Sequence, residues 1–145
     1  MSYNLPITVA NGGISPALDN QTLTFIAGGT IVAGDVVAFD TSLTTADAAA
    51  TVIQCALTAT VGNARAIGFA AAAAVSGETV PVVVAGYFKS ANVDGAVVAG
   101  SPLCGPVTAN GRAEIASAAM TAPVFAVALA ADVTNVAPVF VFRRI

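Results

Sequence analysis

The chain has 145 residues, of which 57% are apolar and only 9% charged, with a net charge of −3. That length suits one compact domain, but 5 basic and 8 acidic side chains are too few to cover a free monomer, so the surface suits burial against neighbours. The negative charge and scattered basic residues exclude nucleic acid as main partner, and apolar runs ending within about ten residues exclude a membrane helix.

Residues 1–16 hold Pro6, Pro16 and the turn Asn11-Gly12-Gly13, and read as an extended arm ahead of a single β domain at 17–145. No basic residue precedes an apolar run there, so no signal peptide is expected. Tyr3, Leu5, Ile7 and Val9 are spaced by two and would share one face of an extended arm, as needed to lie along a neighbouring sheet edge. Abundant Val and Thr with recurring Gly turns predict an all-β body with strands at 21–27, 36–39, 52–58, 66–70, 80–85, 87–90, 102–107, 113–116, 124–129 and 138–142. The Ala-rich stretches 46–50 and 70–74 allow at most short helical turns. At 52–59 a strand face and a helix face both fit. The β-branched content and the following Gly62-Asn63 favour the strand.

Two stretches of the body repeat each other. Gly29-Thr-Ile-Val-Ala-Gly34-Asp35 returns as Gly95-Ala-Val-Val-Ala-Gly100-Ser101. Ile67-Gly-Phe-Ala-Ala71 matches Phe125-Ala-Val-Ala-Leu129, and Val80-Pro-Val-Val-Val84 matches Ala137-Pro-Val-Phe-Val141. Two copies are too few for a solenoid, so the related β-halves are expected to pack into one small β-sandwich or barrel. Each Ala-Gly pair suits a turn with glycine at positive φ.

The residues carry no recognisable catalytic set. Histidine is absent, which removes the commonest general base and the commonest zinc ligand together. Catalysis by paired carboxylates would draw on Asp19, Asp35, Asp40, Asp47, Glu78, Asp94, Glu114 and Asp132, but Gly34-Asp35, Phe39-Asp40, Gly77-Glu78, Asp94-Gly95 and Ala131-Asp132 read as turns, where a carboxylate accepts bonds from nearby backbone N–H groups. No phosphate-loop or calcium-loop pattern occurs. Cys55 and Cys104 stand far apart among apolar neighbours and are expected to be buried thiols, a disulfide between them being the alternative. With no Trp and two Tyr, both the girdles of a membrane barrel and a stacking platform for sugars are lacking. The expected protein is not an enzyme, uses no cofactor or metal, and has no small-molecule substrate, nucleic-acid or membrane partner.

The order Thr30-Ile-Val-Ala-Gly-Asp-Val-Val-Ala-Phe-Asp40, Arg65-Ala-Ile-Gly-Phe-Ala70, Ser76-Gly-Glu-Thr-Val-Pro-Val-Val-Val-Ala-Gly86, and later Asn110-Gly-Arg112 and Pro123-Val-Phe-Ala-Val-Ala-Leu129, resembles the decoration (cement) proteins of tailed-phage capsids, short head proteins often encoded beside the capsid gene. The resemblance runs over roughly residues 22–142, with Ser101 standing where the first half has Asp. It implies a structural virion protein, made in the host cytoplasm, that binds the outer surface of an assembled capsid and stabilises it. Its implied partners are the major capsid protein and itself, commonly as a homotrimer. Candidate contact residues are Tyr3, Leu5, Ile7 and Val9 in the arm and the basic pair Arg143 and Arg144. The alternative is a β-sandwich binding or adhesion module for carbohydrate or a host surface, on a phage tail or cell.

Overall fold

The computed structural model describes residues 20–43, 51–58, 62–117 and 123–142. Among them are nine strands and no helix: β1 Gln21–Ala27, β2 Val36–Phe39, β3 Thr51–Gln54, β4 Ala66–Ala70, β5 Thr79–Asp94, β6 Pro102–Cys104, β7 Ala113–Ile115, β8 Ala126–Ala128 and β9 Val136–Val141. The fold is all-β and built from two related halves, and each half closes on itself. In the first, β1 pairs parallel with β3, then β3 with β2, β2 with β4, β4 with β5 and β5 back to β1, all antiparallel. In the second, β5 pairs parallel with β7, then β7 with β6, β6 with β8, β8 with β9 and β9 back to β5, again antiparallel. The repeat therefore extends from sequence to strand order and direction. Closure leaves no free lateral edge within either ring.

Strand β5 serves both rings, its first part ending ring 1 and its second part opening ring 2. The expected break at Gly86 is absent. Gly86 has φ 99°, so the backbone bends there without ending the strand, and a Cβ would run into Asn20. Asn20 also supplies the backbone's missing partners: its Oδ1 accepts from Tyr87 N–H at 2.7 Å and its Nδ2 donates to Tyr87 O at 2.6 Å.

The repeated turns are alike in hydrogen bonding. Gly34 N–H donates to Ala70 O and Ala70 N–H to Asp35 O, as Gly100 N–H does to Ala128 O and Ala128 N–H to Ser101 O. Asp35 Oδ2 accepts from Val32 N–H at 3.0 Å, and Ser101 Oγ accepts from Val98 N–H at 3.1 Å. Buried Asp35 does more than Ser101. It also accepts from Gln54 Nε2 at 2.9 Å and Asn92 Nδ2 at 3.0 Å, tying β3 of ring 1 to the ring 2 part of β5.

Several predicted bounds shift. The 52–58 strand runs only to Gln54, because beyond it Leu57 N–H donates to Asn110 Oδ1 and Thr58 N–H to Pro106 O rather than to a ladder. The Ala-rich 70–74 stretch is not helical: Ala70 ends β4, and Ala74 bridges to Ile31, both small enough to be buried there. Residues 46–50 lie outside the described residues.

Two large clusters and a small one at Cys104 and Val107 form the core among the described residues. Ring 1 encloses Ala27, Ile31, Val37, Val52, Ala70, Val80 and Val82. The larger cluster joins the rings: Val36, Phe69 and Val83 on the outer wall of ring 1 pack with Leu103, Phe125, Val139 and Val141 of ring 2. Phe69 lies 5.3 Å from the Phe125 ring and 6.0 Å from the Phe88 ring. Strand β2 is thus apolar on both faces, one turned into its own ring and one onto the other.

Candidate partner-binding site

Strand alternation that fills ring 1 also lines its mouth. Leu23 and Phe25 share the parity of enclosed Ala27, Phe39 that of Val37, and Val84 that of Val80 and Val82. Ile67 joins them through a bulge: β4 pairs Gly68 with Val37 and Ala66 with Ala38, so Ile67 is the extra residue. Together these side chains surround an open groove of about 570 Å³. That volume is in the range of small-molecule sites, and barrel mouths are common places for them. Phe25 and Phe39 meet edge to face with centroids 5.6 Å apart. Leu23 is 42% exposed and Phe39 39%.

Polar groups are confined to the rim. Gln21, Thr41 and Arg65 line it, and the Arg65 guanidinium donates to Thr41 Oγ1 at 2.5 Å. The Arg65 backbone N–H donates to Asn63 Oδ1 at 2.9 Å, and Asn63 Nδ2 to Ala56 O at 2.7 Å, which anchors the 62–65 turn against the barrel. An apolar floor with one cation at its edge suits an apolar side chain or segment more than a charged substrate. No group in the groove is placed as nucleophile or general base.

The matching mouth of ring 2 is covered. The repeats equate Ile67 with Phe125 and Val84 with Val141, and equal register places Phe88 where Leu23 stands, since Leu23 pairs with Val82 and Phe88 with the matching Val139. Phe88, Phe125 and Val141 all pack in the cluster that contains Phe69. The wall of ring 1 is therefore the stopper of ring 2, whereas the mouth of ring 1 has none among the described residues.

The residues expected to contact a partner, Tyr3, Leu5, Ile7, Val9, Arg143 and Arg144, lie outside the described residues. The described chain reaches towards them at Asn20, beside the mouth strand β1, and at Phe142, 41% exposed. The groove itself escaped sequence reading. Its only local signal is the alternation Gln21, Leu23, Phe25, Ala27, which looks the same in a filled ring as in an open one.

Asp40, Glu78 and Asp132 serve turns, whereas Asp94 and Glu114 lie in β5 and β7 and Asp35 joins the two rings. Asp40 accepts from the Ser42 hydroxyl at 2.6 Å and its N–H at 3.0 Å, which holds its carboxyl below the usual range. Glu78 accepts from Val75 N–H and Asp132 from Val97 N–H. Asp94 and Glu114, paired across β5 and β7, both take bonds from Thr108, with Arg112 3.8 Å from Asp94. Asp19 and Asp47 lie outside the described residues. Among the described residues no three His, Cys, Asp or Glu side chains gather as a metal site requires. Cys55 and Cys104 are buried thiols not joined in a disulfide, and burial pushes the Cys55 thiol up to about 12 and raises Cys104.

The fold and this site define a tandem β-ring protein with an open apolar groove at the mouth of one ring. The chain is similar in fold to the N base of the head fiber gp8.5 of bacteriophage phi29, with a TM-score of 0.55 and 11% identity over 84% of this chain and 93% of that one. No protein-family model matches the chain, and no curated protein does.

Proposed function

We propose that the chain is a structural protein of a tailed-phage virion that binds the outer surface of the assembled capsid and stabilises it, with the major capsid protein and further copies of itself, as a trimer, for partners. The observation that carries this reading is the fold shared along nearly the whole of both chains with a phage head-fiber base. The sparse charge and exposed apolar side chains agree with a working life against other proteins. Attachment in many copies sums weak contacts, so no single one need be strong. Tyr3, Leu5, Ile7 and Val9 are the proposed capsid-contacting face of the arm, and Arg143 and Arg144 the proposed contacts to an acidic capsid patch.

The test is to mix the purified chain with undecorated capsids of its phage, sediment them, and locate added density by electron microscopy. Saturable binding outside the shell, with capsids that withstand more heat, is expected. Failure to sediment with capsids would overturn the proposal. Removing residues 1–12 should weaken capsid binding at least tenfold, about 1.4 kcal/mol per site, while leaving the isolated chain's melting temperature nearly unchanged. Undiminished binding would remove the arm from the contact.

A further inference from the structure

Within one chain, a row of apolar side chains on the wall of ring 1 stoppers the mouth of ring 2. That row is Val36, Phe69 and Val83, directly opposite one another across β2, β4 and β5. The repeat carries the same row into ring 2. Pro102 pairs with Val127 and Val127 with Phe140, across β6, β8 and β9, at the positions that match Val36, Phe69 and Val83. In ring 2 the row faces outward: Pro102 is exposed, Val127 half-buried and Phe140 39% exposed. Phe142 extends the patch, its ring 6.2 Å from Phe140. Among the described residues, the wall of ring 2 and the mouth of ring 1 are thus both uncovered. These are the two halves of a contact it already makes internally.

We infer that copies of this chain associate head to tail, the ring 2 wall of one copy, centred on Val127 and Phe140, stoppering the ring 1 mouth of the next at Leu23, Phe39, Ile67 and Val84. Both faces are apolar, and the internal contact shows that a β wall of this pattern fits a mouth of this pattern. Because the two faces differ, the contact is heterologous. Closure after three copies gives a trimer, and failure to close gives a filament. The inference deepens the self-association in the proposed function and rests on that part of it. Capsid attachment is separate and is tested separately above.

The test uses the full chain without capsids, by sedimentation from micromolar to millimolar concentration. Wild type is expected to form a closed oligomer or a growing chain. Phe140→Glu spoils only the wall and Leu23→Glu only the mouth; both sites are solvent-exposed, and unchanged circular dichroism and melting would show each variant folded. Each alone should be monomeric. Mixed, they keep one intact wall and one intact mouth between them and should form a 1:1 heterodimer that grows no further. A wild type that stays monomeric throughout, folded variants that still assemble alone, or a mixture that stays monomeric would each overturn the inference. So would loss of assembly on removing residues 1–19 with Phe140→Glu still assembling, since the arm would then be what fills the mouth.

Discussion

Replacing Phe69 with Ala tests how far the two rings depend on each other. Phe69 is fully buried, belongs by sequence to β4 of ring 1, and spends its ring on Phe88 and Phe125 of the shared cluster. Truncating a buried Phe costs about 3–5 kcal/mol, and losing two aromatic contacts moves it to the upper part of that range. For a chain this size about 4 kcal/mol is a large share of the whole stability, and it lowers the melting temperature by roughly 10 to 15 °C. Urea denaturation followed by circular dichroism measures the loss, with Phe69→Leu as a milder control. Hydrogen exchange then locates it: amides of β8 and β9 should lose protection, while those of β1 and β3, which close around Val37, Val52, Val80 and Val82, keep most of theirs. A loss below about 1 kcal/mol, or loosening confined to ring 1, would refute the claim that this wall is the stopper of ring 2.

Asp35→Ala leaves Val32 N–H and Gln54 Nε2 without their acceptor and Asn92 Nδ2 with only its 3.3 Å bond to Ala33 O, and should cost about 3 kcal/mol by denaturant titration. Asp35→Ser, which imitates Ser101, should recover part of that, since it restores only the bond from Val32. Gly105→Ala pushes a methyl onto the carbonyl oxygen of Asn63, a residue held by its own side-chain bonds, and should cost about 2–3 kcal/mol in the same assay. Cys55 keeps its proton in the folded chain to about 12 but not when unfolded, so the folded state binds more protons above the ordinary thiol range. Stability should be fully present below that range and fall through it towards pH 12, by up to about 1.4 kcal/mol per pH unit, with Cys55→Ala flattening the slope. Thiol reagents should label neither Cys55 nor Cys104 until urea unfolds the chain, and melts with and without reductant should overlay; rapid labelling of the native chain would contradict their burial.

Local chemistry made much of this protein legible from its residues alone. Stretches rich in Val and Thr between glycines mark the strands, because β-branched side chains suit a pleated surface. Gly34-Asp35 and Gly100-Ser101 mark matching turns, because each needs a positive φ followed by a side-chain acceptor for the N–H three residues back. The internal repeat likewise forecast two like halves. Tertiary structure alone decided that each half closes as its own ring, that β5 continues through Gly86 into both, and that Phe69 serves the ring it does not belong to. The physical reason lies in strands such as β2, where Val36, Val37 and Ala38 are all buried. Period-two alternation says which side chains share a face, yet where both faces are apolar it does not say which one meets its own ring and which a neighbour. For the same reason Leu23 and Phe88, equivalent in register, end in opposite circumstances: one is at an open mouth, the other beneath Phe69. That difference arises from where the chain places a second wall, a matter of long-range packing that no local pattern encodes.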